Sequence, residues 1–425
     1  MKYITESGGV AAILPELMRF PSWGVDTETT GLDAHKDKVV LLQIGRQEEQ
    51  FVIDTRTASI EPLRPFLENV NVLKVGHNLK FDYKMLKGTS QIELEGIRDT
   101  LIGEKVLTAG KKKRGFRLED VLLERLGIVA DKTLQKSFIG HKGAFTKEQL
   151  QYAADDVVHM IPLCKKMLDE MRPAGLIPTF QLECDVVSSF GDMEFDGMLI
   201  DVPAWQALIE KHTGLAVVAK SELDVFASPF VGVNLFDEVD MNYGSPSQVV
   251  TLLRMMKVKI KEGDSYLPVT KTDKKTLKKL RDLPFIQALQ KWRSLQKRIN
   301  TYGQPFIDAI NPLTGRIHPN LWQMGTDTGR PAAGESDVNP LNIPRENAFR
   351  HCFICYPDEV MESDDYSGCE SRILAEISGD KKLTGIFQRG EDIHCAVATD
   401  LYGVEVTKKG ENSRLRTPAK NLNFG

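Results

Sequence analysis

Three strand-like runs crowd into the first 60 residues: WGVDTET (23–29), KVVLLQIG (38–45) and QFVIDT (50–55), with turn-rich GLDAHKD and GRQEE between them. A chain that begins this way must build a sheet before anything else. A fourth run, NVLKVG (71–76), leads into helical periodicity from about residue 79, which returns over roughly 98–109, 117–127 and 147–170. Strands first and helices after predict a mixed α/β domain that ends near residue 170. MRPAGLIPTF (171–180), with Pro173, Gly175 and Pro178, reads as a linker. A second region begins near 181 with a helix, passes through GMLIDVPAW (197–205) and becomes helical to about 227. GSPSQVVTLLRMMKV and KTDKKTLKKL precede a further amphipathic helix at 284–300, and from 312 strand and loop signals take over. A strand running into a helix is expected over 359–378, followed by short helices, and no internal repeat is visible.

At 425 residues the chain exceeds what one hydrophobic core organises and calls for roughly two to four domains. The opening MKYITESGG lacks a basic-then-apolar leader, and no apolar run reaches membrane-spanning length, so a cytoplasmic protein without a membrane partner is expected. Only Cys352 and Cys355 of the six cysteines form a C-x-x-C, inside RHCFICYP, where the apolar filling suits a buried strand better than a zinc or redox site. The net charge of −4 by itself disfavours a polyanionic partner, but position outweighs the sum. Positive charge is concentrated in KKKRGFR (111–117), KTDKKTLKK (271–279) and KWRSLQKR (291–298), beside acid-rich segments, which suggests phosphate tracks leading to metal-loaded pockets.

Asp26 and Glu28 stand two apart on a strand, so both carboxylates face one side. Alone they would be a polar strand face. HNLKFDYKML, however, sets Asp82 at the start of a helix one turn after Asn78, and QYAADDVVHM sets Tyr152 and Asp156 at i and i+4 on another. Four acids on three elements make chemical sense if they converge on divalent ions, for which carboxylate oxygens are suited. Two such ions about 4 Å apart can activate a water and stabilise the leaving 3′ oxygen of a phosphodiester, with a tyrosine hydroxyl positioning the water. DTE, N-x-x-FD and Y-x-x-x-D in this order resemble the three motifs of the DEDDy 3′–5′ exonucleases, ribonuclease-H-like domains that include the proofreading modules of DNA polymerases. The resemblance covers residues 1 to about 170. It implies that Asp26, Glu28, Asp82 and Asp156 are ligands of two Mg2+ (or Mn2+) ions and that Tyr152 orients the nucleophile. Asp155 is left without a role.

EVMESDDYSGCESRILAEISGD (359–380) reads as a strand ending in acids, with Asp365 at its tip, followed by an amphipathic helix that Glu370 starts. It resembles motif A of the family A DNA polymerases through Asp365, Tyr366, Ser367, Glu370 and Arg372, while Gly368, Cys369 and Ser371 depart from that motif. TDTGRPAAGESDVNPLNIPRE resembles the region of that family that grips the primer–template, which implies a DNA contact for Arg330. GEDIHCAVATDLYG resembles the segment whose histidine, His394, approaches the incoming triphosphate, and GSPSQV with its basic followers resembles the thumb. Near the end, Thr417 reads as an N-cap and Pro418 as the first helical residue, with Arg416, Lys420 and Phe424 on one helical face. That face resembles the first part of motif B in the fingers. The resemblance implies that Arg416 and Lys420 neutralise triphosphate charge and that Phe424 packs near the sugar, disfavouring dideoxynucleotides. It likewise implies that Glu370 excludes ribonucleotides.

The expected fold class is therefore α/β: a ribonuclease-H-like exonuclease domain (1–170), a linker (171–180) and an incomplete right-hand polymerase domain (181–425). Within the last, the thumb is expected at about 228–300, the palm with motif A at about 301–380 and partial fingers at 381–425. Because the resemblance stops within motif B, the expectation is the N-terminal portion of a split or truncated polymerase. A second chain carrying motif C would complete its polymerase site and its two metal ions there. Expected partners are primer–template DNA and deoxynucleoside triphosphates. With no 5′-nuclease segment ahead of the exonuclease, a phage or organellar relative is expected, and for a phage protein the host cytoplasm. The alternatives are a stand-alone 3′–5′ exonuclease on a DNA-binding platform and a non-catalytic partner subunit.

Overall fold

KVVLLQIG lies in the middle of a six-stranded sheet, where its continuous apolar character places it. In the computed structural model the strands are β1 (Lys2–Ile4), β2 (Ser22–Thr29), β3 (Val39–Gly45), β4 (Gln50–Asp54), β5 (Leu73–Gly76) and β6 (Ile97–Asp99), in the spatial order β1-β4-β3-β2-β5-β6. All residues are described except 110, 112–114, 237, 263–264, 335–337, 345–346 and 425. β2, β3 and β4 form an antiparallel meander, whereas β1 joins β4, β5 joins β2 and β6 joins β5 in parallel. The pleat divides β3 and β4 between two cores. Leu42, Ile44, Phe51 and Ile53 face the main one, and Leu41 and Val52 the other.

Helices cover both faces. α1 (Ser7–Leu17), the single turn α2 (Arg64–Leu67), α3 (Leu79–Ser90), α4 (Thr100–Thr108), α5 (Leu118–Leu126) and α7 (Met160–Met171) supply the main core, and α6 (Lys147–Val158) closes the opposite face with Leu150, Tyr152, Ala153 and Ala154. α6 lies directly on the sheet because two strand positions carry no side chain. A Cβ on Gly24 would come within 2.5 Å of the Val157 carbonyl oxygen, and one on Gly45 within 2.5 Å of Val157 Cγ2. Gly24→Ala must therefore push α6 away, and with it Tyr152 and Asp156. The expected cost is about 1–3 kcal/mol, read by urea denaturation.

The stretch expected as a linker is built into this domain. It holds the end of α7, a 3-10 turn over Arg172–Ala174 and the start of α8 (Ile177–Asp185). Phe180, Cys184 and Val187, the last on α9 (Val187–Asp196), are buried in the main core. The long helices Val202–Ala227 and Pro284–Tyr302 then pack together, and a separate core joins Leu223 and Ala227 to Val249, Leu253, Phe285, Ile286 and Leu289. Leu199–Ile200 pairs antiparallel with Phe353–Ile354, so RHCFICYP does contain a short strand, with Cys352 buried and both cysteines free thiols.

The chain divides into two units, Met1–Ile354 and Cys355–Gly425. The second contains the helices Cys369–Ser378, Lys381–Gln388, Ile393–Tyr402 and Arg416–Phe424, with a small core of Cys395, Ala398, Val406 and Ala419. Two expectations fail here. Residues 359–365 form no strand and are exposed along their length, because a strand needs hydrogen-bonded neighbours and no described segment runs beside this one. The final helix begins at Arg416, led in by a 3-10 turn over Ser413–Leu415, so Thr417 lies inside its first turn rather than capping it. No helix among the described residues is long and apolar enough to cross a membrane.

Candidate functional site

β2 carries Asp26 and Glu28 on one side, and α6 brings Asp156 over them. Carboxylate oxygens of the three lie within 4.8 Å of one another. α6 is fixed at its start by a reciprocal cap between Thr146 and Gln149, which sets the helical phase that aims Tyr152 and Asp156 inward. Asp82 arrives from α3. That helix starts where Asn78 takes a left-handed turn (φ 67°), and Asp99 at the end of β6 accepts the Asn78 and Leu79 amides at 2.9 and 2.8 Å. Asp82 is 2 % exposed and accepts the Thr27 hydroxyl at 2.6 Å. Its charge acts on Asp26, but it stands outside the three-acid group, held by the strand residue between Asp26 and Glu28.

Two residues that sequence reasoning missed complete this arrangement. Asp99 caps α3 as just described and caps α4 through the Leu101 amide at 2.8 Å. Its signal was a strand ending in Asp ahead of a helical pattern. Lys132 lies in the segment between α5 and α6, and its Nζ is 2.6 Å from Asp156 Oδ1 and 3.2 Å from the Tyr152 hydroxyl. Nothing in its sequence surroundings marks it.

The electrostatics are one-sided. Burial, then Asp82, Asp156 and Glu28, raise the pKa of Asp26 well above the usual carboxylate range, and Lys132 only partly offsets them. Burial and Asp156 push Glu28 up to about 9. Burial takes Asp82 up to about 7 against the Thr27 hydrogen bond, and raises Asp156 against Lys132. Burial and then Asp156 raise the Tyr152 phenol, which stays protonated. Four carboxylates facing one ammonium in a low-dielectric setting repel one another unless protons or cations neutralise them. The donor set is all oxygen and already clustered, so it fits hard divalent ions such as Mg2+ or Mn2+.

The residues assigned to a polymerase site are placed differently. Arg330 closes a turn in which its amide donates to the Thr326 hydroxyl at 3.0 Å. Asp365 is exposed in irregular chain, and Glu370 is exposed in the first turn of its helix. His394 is buried on the helix Ile393–Tyr402, and its pKa is lowered by burial, with Arg416 and Lys420 adding to the effect against Asp392. Arg416 does not project freely. Its Nε and Nη2 meet Asp392 at 3.1 and 2.7 Å, while Asp392 caps the His394 helix through the Cys395 amide at 3.0 Å. Lys420 is exposed, and the Phe424 side chain lies outside the described residues.

The basic runs are only partly open surface. Arg293 turns inward to the Tyr243 carbonyl at 3.2 Å and the Thr272 carbonyl at 3.2 Å, joining three segments, while Lys291 and Lys279 pair with Glu222 and Glu262 at 3.0 and 2.7 Å. A cavity of about 1220 Å3 beside Arg293 is lined also by Ser247, Arg254, Lys271 and Trp292.

Residues 1–172 match the family model described as 3'-5' exonuclease, and residues 233–425 match DNA polymerase family A. The chain is 27 % identical over 452 residues to DNA polymerase I of Chloroflexus aurantiacus, covering 99 % of this chain and 46 % of that protein. It is 29 % identical over 446 residues to DNA polymerase I of Aquifex aeolicus, covering 100 % of this chain and 71 % of that one. Against the thermostable DNA polymerase I of Thermus aquaticus the identity is 35 % over 144 residues, covering 33 % of this chain and 17 % of that protein. The chain thus spans about half the length of the Chloroflexus protein. Its fold is that of the POL domain of Pol1 from M. smegmatis, solved in complex with DNA primer-template and dNTP: TM-score 0.78, 23 % identity, covering 100 % of this chain and 71 % of that one. Two successive domain matches and relatives aligned along the whole chain identify a 3′–5′ exonuclease domain at residues 1–172 and a region of the DNA polymerase family A at residues 233–425.

Proposed function

We propose that the first domain is a 3′–5′ proofreading exonuclease and that the rest of the chain holds primer–template DNA and a deoxynucleoside triphosphate, synthesis requiring a second chain that supplies motif C. One observation carries the exonuclease: Asp26, Glu28 and Asp156 within 4.8 Å of one another, with the charge of Asp82 acting on Asp26. Bound there, Mg2+ or Mn2+ would supply an activated water and stabilisation of the leaving 3′ oxygen. Asp26, Glu28, Asp82 and Asp156 would hold the ions. The protonated Tyr152 hydroxyl, on α6 with Asp156, would hydrogen-bond the attacking water. Asp99 and Thr27 act through Asp82, fixing its helix and its rotamer.

For the polymerase region, Asp365 is the metal ligand, Glu370 and Phe424 read the sugar, and His394, Arg416 and Lys420 meet the triphosphate. Arg416 would have to release Asp392 to do so. A covering partner is supported by apolar surface: Val360 is 91 % exposed and Ile377 80 %, with Met361, Ile373 and Leu374 more than half exposed around them. The three acids already gathered in the first domain, against an exposed, irregular Asp365, favour a second reading, an exonuclease alone on a DNA-binding platform. A labelled primer–template incubated with this chain, Mg2+ and all four deoxynucleotides separates the two. Shortening without extension is expected from the chain by itself, and extension once a motif C chain is co-expressed. If co-expression restores no extension, the second reading stands. Phage origin and a place in the host cytoplasm are part of the same proposal.

A further inference from the structure

Lys132 is the cation that sits on the carboxylate cluster. Its Nζ is 2.6 Å from Asp156, 3.2 Å from the Tyr152 hydroxyl and 5.1 Å from the centre of that ring. Asp156 is one of the three acids whose oxygens already lie within 4.8 Å of one another. An ammonium and a divalent ion cannot both lie against one carboxylate at contact distance without strong repulsion, because at short range inside a protein like charges are poorly screened. Lys132 also has somewhere to go. Its side chain is 18 % exposed, it extends from irregular chain between α5 and α6, and a four-carbon stem can swing its head to solvent. Asp82, by contrast, is pinned by Thr27 and Asp26 by its strand, so Lys132 is the movable partner.

We infer that Lys132 is a resident counter-cation of the exonuclease cluster that competes with the metal ion for Asp156 and must leave it when the site loads. This rests on reading the cluster as a metal site. In the unloaded protein Lys132 holds the acids together, and on loading its charge is exchanged for that of the ion. The side chain therefore sets the metal concentration at which the exonuclease switches on.

The test is Mn2+ binding to the full chain, measured by calorimetry and by loss of the free-ion paramagnetic signal, in parent, Lys132→Met and Lys132→Arg proteins. Lys132→Met is expected to bind Mn2+ about tenfold more tightly or better, the factor that 1.4 kcal/mol of relieved competition gives. Its melting temperature in EDTA is expected below the parent's and its rise on adding Mn2+ larger. Lys132→Arg, which keeps the charge, is expected to stay near the parent in both. Unchanged or weaker Mn2+ affinity in Lys132→Met overturns the inference. An Asp26→Asn control separates that from failure of the underlying reading. If the parent binds Mn2+, Asp26→Asn loses it and Lys132→Met is unchanged, only the competition falls. If parent and Lys132→Met both fail to bind Mn2+, the metal site and the inference fall together.

Discussion

Asp26→Asn is expected to abolish metal-dependent shortening of a DNA 3′ end while raising the melting temperature of the chain in EDTA. The loss should be on the order of 10³-fold or more, since a bound metal supplies several kcal/mol of transition-state stabilisation and each 1.36 kcal/mol is tenfold in rate. The gain in stability has a different origin. Asp26 is partly buried near Glu28, Asp82 and Asp156, and Lys132 offsets their repulsion in part. Its pKa is raised in the folded chain, so its contribution favours folding fully below the unfolded carboxylate pKa and is lost as pH rises through the raised folded value. An amide of the same shape removes that repulsion, so the variant is expected to melt above the parent. Primer extension by a partner-completed enzyme should survive. A folded variant that loses extension as well, or one less stable than the parent in EDTA, would show that Asp26 is not the over-charged metal ligand argued for here.

Lys74→Met is expected to stabilise the exonuclease domain at neutral pH and to lose its advantage in alkali. Lys74, on β5, is fully buried, and its Nζ reaches only the carbonyls of Phe66 at 3.3 Å and Asn69 at 2.7 Å. Burial, partly opposed by Glu95, takes its pKa down from 10.5 to about 7. Above pH 10.5 the amine is neutral in folded and unfolded chains alike and costs nothing. As pH falls from there to about 7, the unfolded chain takes up a proton that the folded chain does not, and stability drops. The shift corresponds to roughly 3–5 kcal/mol at pH 7 and below. Losing the two bonds from Lys74 costs part of this back, although each carbonyl keeps a backbone amide at 3.2 Å (Asn69 N–H on Phe66, Val72 N–H on Asn69), so a net gain of about 1–3 kcal/mol is expected. Urea denaturation at neutral pH and near pH 10 measures it. A variant less stable than the parent at neutral pH would mean that the charged amine is tolerated in the core.

The clustered acids were legible because their spacings are local (two apart on a strand, four after a tyrosine on a helix, one turn in from a helix start) and together resemble a known set of motifs. Lys132 was not, since its partnership with Asp156 joins irregular chain to a helix 24 residues away and leaves no periodic trace. Pro173, Gly175 and Pro178 suggested a linker because the same residues punctuate helices. Pro173 sits in a 3-10 turn, Gly175 takes the left-handed φ of 65° at its end, and Pro178 lies in the first turn of α8. The failed strand at 359–365 marks the opposite limit. Its sequence carries apolar and acidic residues in strand-like order, but a strand exists only with a neighbour, and pattern cannot supply one. β1 and β6 were missed for a related reason: three residues each, they are strands by virtue of β4 and β5 beside them.

Whether the acid cluster works as a two-metal exonuclease site is read by following a 5′-labelled oligonucleotide with this chain at rising Mg2+ or Mn2+. A ladder of products shortened one nucleotide at a time from the 3′ end is expected, dependent on the ion, absent in EDTA and absent with Asp26→Asn. Internal cleavage, shortening that persists in EDTA, or no shortening by a folded chain at any metal concentration would contradict it.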